Sequence, residues 1–107
     1  MANIIVTIPT YNERDNIAIL VRKILDLKIP GVSILVIDDN SPDGTAEAVR
    51  RLAKKDKSVR LLLRTGPRGR GAAGRDGFLA ALKEGADFII EMDADGSHDP
   101  RYLPDIS

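Results

Sequence analysis

Asp93-Ala94-Asp95, followed by Gly96 and Ser97, sets two carboxylates two residues apart in a segment that bends easily. Crowded carboxylates repel one another and raise each other's pKa unless a cation offsets them. Oxygen-only donors suit a hard ion, Mg²⁺ or Mn²⁺, better than zinc. Mg²⁺ usually takes one or two protein carboxylates and fills its other positions with water and substrate phosphate. Asp93 and Asp95 both reach one ion if the backbone bends, and Gly96 makes that bend easy. Standing alone, D-A-D-G-S reads instead as a solvated turn, because Asp, Gly and Ser all favour turns.

Two further polar clusters change that balance. Pro9-Thr10-Tyr11-Asn12-Glu13 and Asp38-Asp39-Asn40-Ser41 each close an apolar run, as Asp93 to Asp99 does. Tyr11 sits between polar neighbours. Its ring is either a stacking face for a nucleobase, worth roughly 1–3 kcal/mol by analogy with nucleic-acid stacking, or a cover over the helix start that follows. Asp39 either accepts a hydrogen bond from a base N–H or serves a turn and cap before the next helix. Asp43-Gly44-Thr45 reads mainly as turn and capping. His98, the only histidine, is a ligand or proton carrier or, the reading preferred for a lone loop histidine before Pro100, a surface or capping residue.

The elements that must position these clusters follow from the hydrophobic pattern. Asn3 to Ile8 is a short β-branched run ended by Pro9, a buried strand. Ile17, Leu20, Val21, Ile24 and Leu25 recur at helical spacing, so a helix runs from about Glu13 to about Leu27, with Asn12 as its cap. Pro30-Gly31 breaks it. Ser33 to Ile37 is a second strand, and a second helix turns Ala46, Val49, Leu52 and Ala53 inward. A strand from about Val59 to Arg64, a helix from about Gly71 to Glu84 and a strand from Phe88 to Met92 follow, and Pro100 opens a last short helix. Strands apolar on both faces that alternate with helices predict an α/β fold with a parallel sheet of about four strands. In such sheets ligands bind beyond the carboxyl ends of the strands, where strand order reverses. The three polar clusters therefore share one rim, and that placement favours Asp93 and Asp95 as ligands over a solvated turn.

Composition narrows the function classes. The 107 residues hold one modest core. Hydrophobic content of 43% with 30% charge excludes wholesale disorder. Sixteen basic residues balance sixteen acidic ones, which argues against sequence-independent nucleic-acid binding. Without cysteine there is no disulfide, Cys zinc site or thiol nucleophile. The first segment turns polar well short of the ~18 apolar residues a membrane span needs and has no signal-peptide pattern. A cytoplasmic setting is expected.

IPTYNERDNI, VIDDNSPDGT and IIEMDADGSHDP, in that order, resemble family 2 glycosyltransferases with the GT-A fold, in particular the dolichyl- or polyprenyl-phosphate mannose synthases. The resemblance covers nearly the whole chain, 1–107, as the N-terminal nucleotide-sugar-binding part of a Rossmann-like GT-A domain. It implies that Pro9, Tyr11, Glu13, Ala94 and the two aspartates beside it line the nucleotide site, and that Asp39 contacts the base. Asp93 and Asp95 would be the catalytic acids holding Mg²⁺ or Mn²⁺ on the diphosphate, with Ser97 a further ligand or nearby contact. It implies GDP-mannose as donor, a lipid-linked phosphate as acceptor, inversion at the anomeric carbon, and peripheral attachment at a membrane surface. Family catalytic domains are about twice this length, at ~100–200 residues or more per domain. The missing half would complete the sheet and supply acceptor-binding residues. A piece of such a domain exposes sheet edges and apolar surface, which predicts self-association.

TGPRGRGAAGRDGF departs from the family by its arginines, Arg68, Arg70 and Arg75, which touch phosphate or, the preferred reading, are solvated. Other readings stay open. Gly69 to Gly74 matches GxGxxG, and Asp93 lies about 20 residues on, as a dinucleotide site requires. Arg64 to Arg68, however, separate the motif from its strand. A receiver-type phosphorylation domain needs its acid pair after the first strand, whereas here the pair follows the second. A non-catalytic nucleotide-binding or assembly module descended from a glycosyltransferase is the third rival.

Overall fold

Four apolar runs become the strands of one sheet, with a helix after each of the first three. The computed structural model describes residues 2–66 and 70–94, Arg70 by its backbone alone. In chain order the elements are β1 (Ile4–Thr10), α1 (Arg14–Asp26), β2 (Val32–Asp38), α2 (Thr45–Lys55), β3 (Val59–Leu63), α3 (Arg70–Lys83) and β4 (Phe88–Glu91). The sheet order is β3-β2-β1-β4, and every pairing is parallel. The chain thus builds outward from β1 to β3, then returns to lay β4 on the other side of β1. The point of reversal lies between β1 and β4. The short helix expected at Pro100 lies outside the described residues.

Strand alternation sorts the core into two layers. Val6, Ile8, Ile34, Val36 and Val59 face α1 and α2, where they meet Ile17, Leu20, Val21, Ile24 and Val49. Ile5, Leu35 and Ile37 face α3, which offers Ala73 and Ala81. Small residues let α3 lie close to the sheet. A Cβ on Gly77 would stand 2.5 Å from Ile37 Cδ1 and 3.0 Å from its Cγ1, so a larger residue there would force Ile37 to shift. The outer side of α3 keeps Phe78, Leu79 and Leu82 exposed, and Phe88 on β4 is exposed as well. No helix among the described residues is long and apolar enough to cross a membrane.

Two local expectations need correction. Pro9 does not end β1; the strand continues to Thr10, opposite Asp38. What ends is the pairing with β4, at Thr7 and Glu91. Met92 N–H donates to Thr7 O at 3.0 Å, and the next ladder bond would need an N–H on residue 9. Proline therefore stops one side of β1 and leaves the β2 side intact. Nor does Asn12 cap α1. Its φ of 56° is left-handed, the N-cap position belongs to Glu13, and the capping side chains come from the loop after β2.

Candidate functional site

The carboxyl ends of β1, β2 and β4 meet in a cleft of about 170 Å³ at the point of strand reversal, lined by Pro9, Thr10, Tyr11, Glu13, Asp39, Ala73, Asp93 and Ala94. Six of the residues singled out in the sequence, Pro9, Tyr11, Glu13, Asp39, Asp93 and Ala94, are brought together there. Asp95, Ser97 and His98 lie outside the described residues, as does Arg68. Thr10 and Ala73 join the wall without having been singled out.

The DDNSPDGT loop clamps the loop that carries Tyr11. Asp38 is fully buried, and its Oδ1 accepts the Thr10 hydroxyl at 2.8 Å and the Ser41 hydroxyl at 2.6 Å. Its Oδ2 accepts Ser41 N–H at 2.9 Å. Ser41 Oγ in turn accepts Asn12 N–H at 2.9 Å. One residue on, Thr45 Oγ1 accepts Glu13 N–H at 3.1 Å, and Asp43 Oδ2 accepts Arg14 N–H at 3.3 Å. The opening N–H groups of α1 are thus satisfied from about 30 residues away, which is what a cap does for a helix start. Asp43 also takes Thr45 N–H at 3.0 Å and the Thr45 hydroxyl. Burial pushes the Asp43 carboxyl up, but these hydrogen bonds outweigh it and hold the group below its ordinary value of 3.8. Turn and capping is the observed role of Asp43-Gly44-Thr45, with Gly44 in the left-handed region at φ 91°.

With its backbone so fixed, Tyr11 stands in the cleft wall with 41% of its surface exposed. Glu13 lines the same wall, its Oε2 accepting Asn16 Nδ2 at 2.9 Å. Asp39 N–H donates to Thr10 O at 3.0 Å. Its Oδ1 accepts Arg64 Nη1 at 2.7 Å, and Arg64 Nε reaches Asp76 Oδ2 at 2.7 Å. The hydrogen bond to Asp76, and behind it the charge of Asp39, raise the Arg64 guanidinium pKa above its usual value, against burial. Asp93, half-buried after β4, and Ala94, buried, close the far side.

Every candidate ligand in this wall is an oxygen donor, the set that suits Mg²⁺ or Mn²⁺. No group of three His, Cys, Asp or Glu able to hold an ion gathers among the described residues. Mg²⁺ asks only one or two protein carboxylates, and of the acids that follow β4 Asp93 alone lies among the described residues.

The described part of the glycine-rich segment, Gly71 to Gly74, lies in α3, and its Ala73 lines the cleft. The segment follows β3, the sheet edge, rather than a strand beside the reversal between β1 and β4, which is where a dinucleotide fingerprint stands. Within the motif Gly71 has open space around it and an added Cβ on Gly74 would meet only the end of the flexible Glu91 side chain, at 2.8 Å, whereas the tightest approach to the sheet is at Gly77, outside the motif. Arg75 is exposed.

The chain as a whole is similar to known proteins. The model of the family described as glycosyl transferase family 2 matches residues 5–106. The chain is 43% identical over 101 residues to an undecaprenyl-phosphate mannosyltransferase of Micrococcus luteus, covering 94% of this chain and 41% of the relative. It is 46% identical over 100 residues to a polyprenol monophosphomannose synthase of Mycolicibacterium smegmatis, covering 92% and 37%. The chain thus spans about two-fifths of the length of these relatives. Among solved structures, a mannosyltransferase of Pyrobaculum calidifontis in complex with GDP-Man and Mn²⁺ superposes with a TM-score of 0.69 at 31% identity, over 87% of this chain and 27% of that one. TarS of S. aureus, at 23% identity and a TM-score of 0.69 over 97% of this chain and 31% of that one, shares the fold.

Proposed function

The chain belongs to glycosyl transferase family 2, and from that premise we propose that it binds the donor in transfer of mannose from GDP-mannose to a polyprenyl phosphate. The observation that carries the reading is the convergence of Tyr11, Asp39 and Asp93 on one cleft at the point of strand reversal. The names of the two mannosyltransferase relatives support mannose and a polyprenyl acceptor, and the Pyrobaculum neighbour with GDP-Man and Mn²⁺ supports the donor and the metal.

In this reading the guanine stacks on Tyr11 and donates an N–H to Asp39. Pro9 and Glu13 line the ribose side, and Ala94 lies under the diphosphate. Asp93, with Asp95 and Ser97, would hold the divalent ion; the chemistry such an ion supplies is compensation of charge on the departing diphosphate. A phosphate oxygen of the acceptor attacks the anomeric carbon in line as GDP leaves, with inversion. That oxygen is already ionised at neutral pH, since the second phosphate pKa is ~6, so the cleft needs no strong base. A lipid acceptor implies work at a membrane surface. Exposed Phe78, Leu82 and Phe88 support self-association of the chain by itself.

A second reading is donor binding without turnover by these residues, given that they match 41% and 37% of the two relatives. Calorimetry with GDP, GDP-mannose, UDP-glucose and NAD, with and without Mn²⁺, tests the binding. Manganese-dependent GDP binding is expected, and tight NAD binding without metal would overturn the proposal. Mannose transfer to a polyprenyl phosphate separates turnover from binding alone.

A further inference from the structure

Behind the cleft wall three charged side chains form one connected chain. Arg64 follows the last residue of β3, and its guanidinium spans two carboxylates, Asp39 on the β2 loop and Asp76 on α3, at 2.7 Å each. Side-chain exposure falls along the chain from 38% at Asp76 to 12% at Arg64 and 7% at Asp39. The backbone is tied at the same place, since Arg64 N–H donates to Asp38 O at 2.8 Å. Asp39 lines the cleft, whereas Arg64 and Asp76 line a separate groove between β3 and α3. Arg64 therefore holds Asp39 from outside the donor site.

We infer that Arg64, aimed by Asp76, is a positioning residue that fixes the Asp39 carboxylate and so sets which nucleobase the cleft prefers. The inference rests on the reading of Asp39 as the base acceptor. A short acidic side chain swings between rotamers unless something holds it. A charge-assisted bond to one oxygen of a nearly buried carboxylate holds it well, because water does not compete there. A fixed acceptor distinguishes bases by their N–H edges: guanine presents a ring N–H beside an amino group, and uracil a single ring N–H. A base that mismatches a fixed buried acceptor forgoes a hydrogen bond that the matching base makes, which is how polar sites discriminate. Without the Arg64 bond the carboxylate is held less firmly in that orientation, and the discrimination falls. Arginine suits the task because its planar fork meets two acceptors at once, which a lysine ammonium does not reproduce.

The test is calorimetric titration of GDP and UDP into the intact protein with Mn²⁺ at pH 7, comparing wild type with Asp76→Ala and Arg64→Lys, with thermal melts alongside. Both variants are expected to lower the GDP-over-UDP preference roughly tenfold or more, the scale of a disturbed buried charge pair, while UDP binding and its manganese dependence stay near wild type. An unchanged preference in both variants would overturn the inference. So would an equal fall in both nucleotides that tracks a lower melting temperature, the mark of a purely structural role. If wild type binds neither nucleotide, the reading of the cleft itself fails, a result distinct from loss of the positioning role alone.

Discussion

Thr10 and Asp38 stand opposite each other in the β1–β2 register, and their side chains are joined by a 2.8 Å hydrogen bond in the protein interior. The bond links the last residue of one strand to the last of its neighbour. Through Ser41 and Asn12 it continues to the loop that carries Tyr11. Two walls of the cleft are held as one piece.

Asp38→Ala leaves the Ser41 N–H without its acceptor and the Thr10 hydroxyl with only the more distant Ile37 carbonyl, at 3.4 Å. Orphaned buried polar groups cost about 1–3 kcal/mol, so denaturant unfolding of the variant should show a stability loss on that scale. Nucleotide affinity should fall as well, because the Tyr11 loop loses its tie. A stable variant with weakened binding would show that Asp38 acts on the loop more than on the fold.

Tyr11→Ala should weaken GDP binding by about 1–3 kcal/mol, the range for lost base stacking, whereas Tyr11→Phe should bind as wild type does. Calorimetry checks both. An alanine variant with a lowered melting temperature and unchanged affinity would mean that the ring only packs over the start of α1.

Gly77→Ala should destabilise the fold by about 1–3 kcal/mol, the usual range for overpacking. The added methyl would stand 2.5 Å from Cδ1 of Ile37, which is fully buried, so the side chain must shift within the core. Gly71→Ala is the control: nothing lies within 4 Å of the added atom, so stability should hold or rise slightly. Equal effects at the two positions, read by urea unfolding, would argue against the close approach of α3 to the sheet.

Asp43 carries a pH signature. Its folded pKa lies below the ordinary 3.8, so its contribution to stability is complete above that value and is lost as pH falls through the folded pKa. Asp43→Asn should cost about 0.5–2 kcal/mol at pH 7, the range for a lost cap. The gap between variant and wild type should then narrow below about pH 4. Asp56, also held low by Ser58, is common to both proteins and cancels. A gap that stays constant from pH 7 to pH 3 would contradict the capping role.

The strands were legible because β-branched apolar runs are local signals, and each was placed to within two residues. Pro9 misled because its missing N–H matters on one side of the strand only, toward β4, and sequence does not say which neighbour lies there. Asn12 misled for a related reason: it has the right chemistry for a cap, but the donors at the start of α1 are met by Asp43, 29 residues from Arg14. The acid pair Asp38-Asp39 was legible as a cluster and its division of labour was not. Strand alternation turns Asp38 inward and leaves Asp39 at the cleft, where Arg64 holds it from 25 residues away. Arg64 itself gave no local signal, since both its partners are set by the packing of β3 and α3 against β2.

The central claim is that Asp93 belongs to a metal-dependent nucleotide site, and the most direct measurement is titration of GDP into the intact protein with Mn²⁺ and with EDTA, for wild type and Asp93→Ala. Wild type should bind in Mn²⁺ and lose at least ~100-fold in EDTA, beyond what disturbing a supporting group around a metal typically costs. Asp93→Ala should bind equally weakly under both conditions while melting as wild type does. Equal affinity with and without metal in wild type, or undiminished manganese-dependent binding in Asp93→Ala, would contradict the account.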